Sequence, residues 1–321
     1  MIGDISHFLA TPDESRRSRR SLRWICFRGW QALVLTQDEL ELTVVPSIGG
    51  RLISIRHGGV ELAYVNDALA GKIPDGSDEQ WRVLCGEWGF PLWGGGKTWV
   101  APESNWPDGA PQRDLDSGPY GVLATWNGMD SMGVELGSGV CGRSGLQITR
   151  RIELAANGVW TTVHRLINRS GEIRECGIWD VLMLRRPGSV SVQLDQTGDQ
   201  WREAIVPFPE KGPIGDVRGS RFLSFADGVL SAHCDDAIEF KFGINASGGT
   251  LDVRLMLPEG NKRLLRSFDV VADARYLHGA PMEVFNAPAL PYFEIESHGP
   301  AHTLAAGAAC ELRVKEWVSS R

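Results

Sequence analysis

From Leu33 onward the apolar positions come in short alternating or continuous runs broken by Gly, Asn and Asp. The clearest runs are 41–45, 51–55, 146–154, 160–167 and 292–296. Alternation of this kind marks half-buried strands of antiparallel sheets, because successive side chains of a strand point to opposite faces. Turn signals stand at the run ends: Gly49-Gly50, Gly58-Gly59, Asn157-Gly158 between Leu154 and Trp160, and Gly248-Gly249. Asn-Gly between two such runs is a strong hairpin signal, and Gly-Gly suits the primed turns. Helical periodicity is confined to the N-terminal arm and a turn near Asp67–Ala70. The pattern predicts an all-β sandwich over residues 21–321, with no fixed-period repeat and no low-complexity linker to divide it. Residues 1–20 read as a separate arm, since Ser15-Arg16-Arg17-Ser18-Arg19-Arg20 packs four arginines into six positions. Such a run is a solvated tail or helix, with docking to a phosphate or a partner as the alternative.

Charge and composition narrow the function. The 33 Lys+Arg against 40 Asp+Glu give 33 − 40 = −7, which argues against a nucleic-acid binder. No run approaches the 18 or more apolar residues of a membrane span. The opening MIGDISHFLATPDE has neither the basic nor the apolar region of a secretory signal, so a soluble, non-secreted protein is expected. Six cysteines (Cys26, Cys85, Cys141, Cys176, Cys234, Cys310) without a CxxC pair read as reduced core thiols of a cytoplasmic protein. Glycine is in excess, 38 of 321 residues or about 12% against a usual ~7%. Twelve tryptophans stand against four tyrosines, and Trp81, Trp88, Trp93, Trp99 and Trp106 fall in one Gly- and Pro-rich stretch.

That stretch is the densest candidate for chemistry. Between Cys85 and Tyr120 lie seven glycines, five prolines and four tryptophans, which predicts an ordered surface loop rather than a strand. Gly94-Gly95-Gly96-Lys97-Thr98 lacks the glycine spacing of a phosphate loop. Lys97, Trp99, Glu103 and Trp106 with Trp93 better suit a sugar, whose C–H face lies on an indole and whose hydroxyls need charged partners. The alternative is that these tryptophans only seal the loop onto the sandwich. In Tyr292-Phe-Glu-Ile-Glu-Ser-His298, alternation places Glu294 and Glu296 on one strand face, roughly 6–7 Å apart. On a partly buried face, like charge and desolvation would raise at least one of these carboxyls toward a useful general-base value. His298 shares that face only if the strand continues, and Gly299-Pro300 suggests that it ends. Asp180, between Trp179 and Val181, is out of place in a strand unless it serves a site or a sheet end. His278 leads into a strand on which Glu283 and Phe285 point the same way. No His/Cys/Asp grouping shows metal-ligand spacing, so neither a metal nor another cofactor is expected.

Gly49-Gly50-Arg51, GGGKTWVAPESNWP from Gly94, Trp179-Asp180-Val181, Met282-Glu-Val-Phe-Asn286 and Phe293-Glu-Ile-Glu-Ser297 together carry a resemblance. Over about residues 30–318 the chain resembles the galactose-mutarotase-like superfamily, and within it a branch defined by a domain of unknown function. The resemblance implies a large antiparallel β-supersandwich with a sugar groove on its concave face. It implies a strand glutamate as base, carried by Glu294 or its neighbour Glu296, and an arginine at Arg51 that holds sugar hydroxyls. The histidine acid of the aldose 1-epimerases has no counterpart, because Trp179-Asp180 stands near its place; Asp180, Lys97 and His278 are the substitutes. The expected partner is a small-molecule carbohydrate, not nucleic acid or a membrane. Three functions follow: an aldose 1-epimerase-type isomerase, a non-catalytic sugar-binding module, or a lyase or hydrolase of an acidic sugar held by Lys97 and Arg51.

Overall fold

The computed structural model describes residues 19–196, 198–208 and 221–320. Most of the arginine-rich arm, residues 1–18, lies outside them, and Arg20 already opens the first strand. In chain order the strands are β1 (Arg20–Phe27), β2 (Trp30–Gln37), β3 (Leu40–Val45), β4 (Arg51–His57), β5 (Val60–Glu61), β6 (Gly96–Ala101), β7 (Gly121–Asn127), β8 (Ser131–Gly137), β9 (Leu146–Ala155), β10 (Trp160–Asn168) and β11 (Arg174–Arg185). They continue as β12 (Gly188–Gln193), β13 (Ile205–Pro207), β14 (Leu223–Ala226), β15 (Val229–Cys234), β16 (Phe240–Ile244), β17 (Thr250–Leu257), β18 (Gly260–Phe268), β19 (Met282–Asn286), β20 (Tyr292–His298), β21 (His302–Leu304) and β22 (Ala309–Ser319).

All of the predicted runs are strands, and they assemble into two antiparallel sheets. The first has 12 strands in the order β1-β2-β3-β4-β6-β11-β20-β19-β16-β13, with β5 added to β4 and β21 to β11. The second has ten, in the order β14-β15-β12-β17-β18-β22-β10-β9-β8-β7. One apolar core fills the space between them, in which Phe293 and Ile295 of the first sheet meet Leu312, Val314 and Leu255 of the second.

The two sheets differ in how they are buried, and that difference locates the site. In the second sheet β9 and β17 alternate between core and solvent, so only one face is covered. In the first, β20 is buried along its whole length and β11 along nearly all of it. Both faces of these central strands are therefore covered. The inter-sheet core lies on one side, and the chain between β5 and β7 lies on much of the other.

That covering chain departs from the expected loop. Residues 96–101 run as β6, a central strand between β4 and β11, despite the glycines before them. Gly94 and Gly95, at φ +95° and +68°, turn the chain into the sheet in the left-handed region that side chains avoid. A Cβ on Gly94 would stand 2.0 Å from the Tyr64 carbonyl oxygen, and one on Gly95 2.5 Å from that of Leu52. The glycine run thus allows close backbone approach rather than looseness. The turn near Asp67–Ala70 is a short 3-10 helix, Asp67–Leu69. A helix not anticipated, α1 (Asp78–Cys85), is capped by Ser77, whose hydroxyl accepts the Gln80 N–H, with Asp78 and Glu79 in its first turn. Its Leu84 packs with Trp30 and Trp93 in a second, smaller core.

The six cysteines are all unpaired; five are buried as expected, while Cys26 is exposed. Among the described residues no helix is long and apolar enough to cross a membrane.

Because Gly59 (φ +81°) has open space around its missing Cβ, Gly59→Ala should cost only the left-handed penalty of about 1–2 kcal/mol. Gly94→Ala adds a backbone clash, and its urea midpoint should fall clearly further. Equal midpoints for the two variants would contradict this account of the turn into β6.

Candidate functional site

Register places the candidate side chains. Residues directly opposite on neighbouring strands project to the same face. On β20, Glu294, Glu296 and His298 stand opposite Met183, Val181 and Trp179 of β11. On the other side Glu283 of β19 faces Glu296, and Phe285 faces Glu294. Lys241 of β16 faces Phe285, while Lys97 and Trp99 of β6 face Val181 and Trp179. Since Phe293 and Ile295 occupy the inter-sheet core, all of these residues project from the opposite face.

At the centre of that face Lys241 Nζ lies 2.8 Å from Glu283 Oε2 and 3.1 Å from Glu296 Oε2. Trp179 Nε1 donates to the same Glu296 oxygen at 2.6 Å. Both carboxylates are fully buried. Burial, with the Glu283 and Glu294 charges beside it, holds the Glu296 carboxyl well above the usual carboxylate range even against Lys241. Burial acts on Glu283 too, but Lys241 and His298 outweigh it and hold that carboxyl well below its ordinary value. The two carboxyls are thus shifted in opposite directions, Glu283 toward the ionised form and Glu296 toward the protonated one. Burial would lower Lys241, yet the two glutamates raise it above an ordinary lysine. His278 Nδ1 and His298 Nε2 approach Glu283 Oε1 at 3.0 and 3.1 Å. Burial lowers His298 despite the pull of Glu283.

Beside this centre, Lys97 Nζ is 4.0 Å from Glu294 Oε1 and has no hydrogen-bond partner. It lies 3.4 Å from the centroid of Trp99 and 4.9 Å from that of Phe90. Burial brings its pKa down to about 7, with Glu294 opposing and Arg51 assisting. The Glu294 side chain is 9% exposed, against 1% for Lys97, so the carboxylate is the outer member of the pair.

An aromatic cluster forms the wall. Trp179 stacks on Trp106 (5.3 Å, 16°) and on His298 (5.5 Å, 26°), and meets Trp99 and His278 edge-on at 4.8 and 4.5 Å. Trp106 Nε1 donates to the Val100 carbonyl, and Trp99 Nε1 to Asp116 Oδ1. The two indoles therefore pin the covering chain with their N–H groups while their rings line the site.

Of the residues singled out in the sequence, Glu294, Glu296, Glu283, His278, Lys97, Trp99 and Trp106 come together on this face. Glu103, itself half-buried, opens a largely exposed 3-10 turn after β6, and its carbonyl accepts the backbone N–H of Trp106. Arg51 is near the site but committed. Its guanidinium donates to Asp116 at 2.9 Å and to the Gly94 carbonyl at 3.3 Å, fully buried, which leaves it a framework role in place of the expected hold on sugar hydroxyls. Asp180 points the other way. Its neighbours Trp179 and Val181 share the site face, so the pleat turns it between the sheets, where it pairs with Arg266 and lies 3.4 Å from His164 Nε2. Arg266 continues to Glu316 at 3.5 Å, and Glu316 accepts the Trp160 N–H at 2.7 Å. Asp180 is therefore an element of a buried structural network.

Trp179, Lys241, His298 and Asp116 were not assigned from the sequence. Lys241 left a signal, because Phe240 and Phe242 on either side of it face the inter-sheet core. His298 joins the glutamates because β20 continues to it, against the expectation from Gly299-Pro300.

No family model matches the chain, and no curated protein does. Solved structures do resemble it. A galactose mutarotase-like protein from Clostridium acetobutylicum superposes with a TM-score of 0.57 at 11% identity, over 94% of this chain and 99% of that one. Another from Lactobacillus casei gives 0.56 at 11%, over 90% and 100%. An Escherichia coli protein described as a candidate aldose 1-epimerase gives 0.54 at 13%, over 94% and 100%. The chain has the galactose mutarotase-like fold.

Replacing Lys241 by Met would leave two fully buried carboxylates facing each other without their cation. We expect a loss of about 3–5 kcal/mol in urea unfolding. Arg56→Met removes a surface pair at 3.9 Å from Glu41 and an exposed hydrogen bond to the Gly59 carbonyl at 3.1 Å, and should cost no more than about 1 kcal/mol.

Proposed function

We propose that the chain is a carbohydrate-active protein whose chemistry is of the aldose 1-epimerase type, with Glu294 as base and Lys97 as acid. The observation that carries this reading is the pair itself: a buried ammonium with no hydrogen-bond partner, 4.0 Å from the outermost carboxylate of the face. The anomeric hydroxyl oxygen and the ring oxygen of a pyranose are bonded to the same carbon. Two groups this close can therefore serve both. Glu294 takes the proton of the anomeric hydroxyl, and Lys97 gives a proton to the ring oxygen as the C1–O5 bond breaks and the C1 carbonyl forms. Rotation about C1–C2 and reversal of both transfers close the ring as the other anomer and restore both groups. Phe90 and Trp99 offer apolar surface for the C–H face of the sugar, and the mutarotase-like fold supports a carbohydrate ligand. Lys97 stands in for the absent histidine, while Asp180, turned between the sheets, does not.

Freshly dissolved α-aldoses followed by polarimetry test the assignment. Wild type should equilibrate at least one of a panel faster than buffer, and Glu294→Gln should slow that by about 10²–10⁴-fold. An unchanged rate in Glu294→Gln removes the assignment. Tryptophan quenching by a sugar whose mutarotation is not accelerated would instead favour a binding module.

The acid must be protonated, and Lys97 loses its proton as pH rises through about 7. kcat/KM should accordingly fall above about pH 7, and Lys97→Met should abolish that limb along with most of the rate. A flat profile from pH 6 to 9 would exclude Lys97 as the acid.

A further inference from the structure

We propose that His278, Glu283 and His298 form a binding site for a divalent first-row transition ion, with zinc as the working case. The inference is independent of the acid–base pair proposed above. The three donor atoms, two imidazole nitrogens and one carboxylate oxygen, all lie within 4.8 Å of one another. His278 Nδ1 and His298 Nε2 stand 3.0 and 3.1 Å from Glu283 Oε1. Ligands bound at about 2.1 Å and roughly a right angle apart are separated by about 3 Å, which matches the two histidine–glutamate spacings, and the two imidazoles need to stand no more than about 4.2 Å apart to share the ion.

A hydrogen-bond network alone accounts for less of the geometry. His278 Nδ1 is within hydrogen-bond distance of Glu283 Oε1 at 3.0 Å, whereas His298 Nε2, 1% exposed, lies 3.1 Å from the same oxygen without a well-aligned hydrogen bond to any atom. Two groups placed side by side in this way converge on a third point. The donor set selects the ion. Two imidazoles and a carboxylate suit zinc, cobalt or ferrous iron, whereas calcium and magnesium prefer oxygen throughout.

The surroundings also fit. Trp179 packs on both rings, stacked on His298 and edge-on to His278, which fixes their orientation. Lys241 holds the second Glu283 oxygen at 2.8 Å, the outer contact that ligating carboxylates usually have. A cavity of about 490 Å³, lined in part by Tyr276, Gly279 and Pro281, opens beside the segment that carries His278. The Pro281 carbonyl accepts the backbone N–H of His298 at 2.9 Å, which ties the cavity wall to the end of β20. Three protein ligands leave at least one coordination position for water or a substrate oxygen.

The test uses the full chain, stripped with chelator and titrated with Zn²⁺ by calorimetry and with Co²⁺ by visible absorption. Wild type should bind one ion per chain. Affinity should fall at least 100-fold in His298→Ala and in His278→Ala, and stay unchanged in His233→Ala, whose imidazole is elsewhere on the surface. X-ray absorption of zinc-loaded wild type should show an imidazole shell with two histidines, a readout that does not depend on the variants folding. Absence of binding overturns the proposal, as does binding that persists in both histidine variants. Thiolate-to-cobalt charge transfer, which would place the ion on cysteines, overturns it equally.

Discussion

Two glutamates face each other across neighbouring strands in the dry middle of a sheet face, and the Lys241 ammonium between them is what makes that arrangement tolerable. Without it, Glu283 and Glu296 would be paired like charges shut away from water, a state costing several kcal/mol. With it, Glu283 is shifted toward the ionised form and Glu296 toward the protonated one. The neighbouring placements follow from this. Trp179 aims its N–H at Glu296, His278 and His298 gather around Glu283, and the indoles of Trp99 and Trp106 close over Trp179. A polar centre of this kind is stable only while its covering remains in place, because low dielectric strengthens its satisfied contacts and penalises any left open.

The same sheet carries a second buried polar network on its other face. Asp180, Arg266, His164, Glu316 and Trp160 connect the sheets through charge, while Arg150 donates to the carbonyls of Gly50 and Gly96. β11 therefore separates two polar systems by the thickness of one backbone, Trp179 serving one and Asp180 the other. Such a strand has little freedom to shift register, since a slip by one residue would exchange the two faces. This constraint explains why an aspartate in mid-strand, odd by propensity, belongs to the framework.

Much of the fold was legible in the chain. The alternation of 146–154 and 160–167 around Asn157-Gly158 marked a hairpin, and in the structure the two strands pair antiparallel with Trp160 opposite Leu154. Alternation also set Glu294 and Glu296 on one face. The glycine-rich segment was harder. Its composition argued for a surface loop, yet residues 96–101 lie in the centre of a sheet, because glycine there permits close backbone approach and the flanking tryptophans are buried. One cluster of histidines and a carboxylate left no trace in sequence spacing. His278, Glu283 and His298 are ordinary in spacing, and they meet only through the pairing of β19 with β20 and the fold of the preceding loop.

What the sequence determined by itself was therefore local: where strands begin and turn, and which residues share a strand face. Periodicity and turn residues act between near neighbours, and near neighbours are enough for those conclusions. The tertiary structure decided which polar side chains are buried together, in which direction each buried carboxyl is shifted, and which buried ammonium lacks a hydrogen bond. These depend on burial and on charges brought close from distant segments, such as Lys241 to Glu296 or Lys97 to Glu294. Arg51 and Asp180 mark the boundary: by residue type each suited a sugar site, and only the positions of Asp116 and Arg266 turned them to framework.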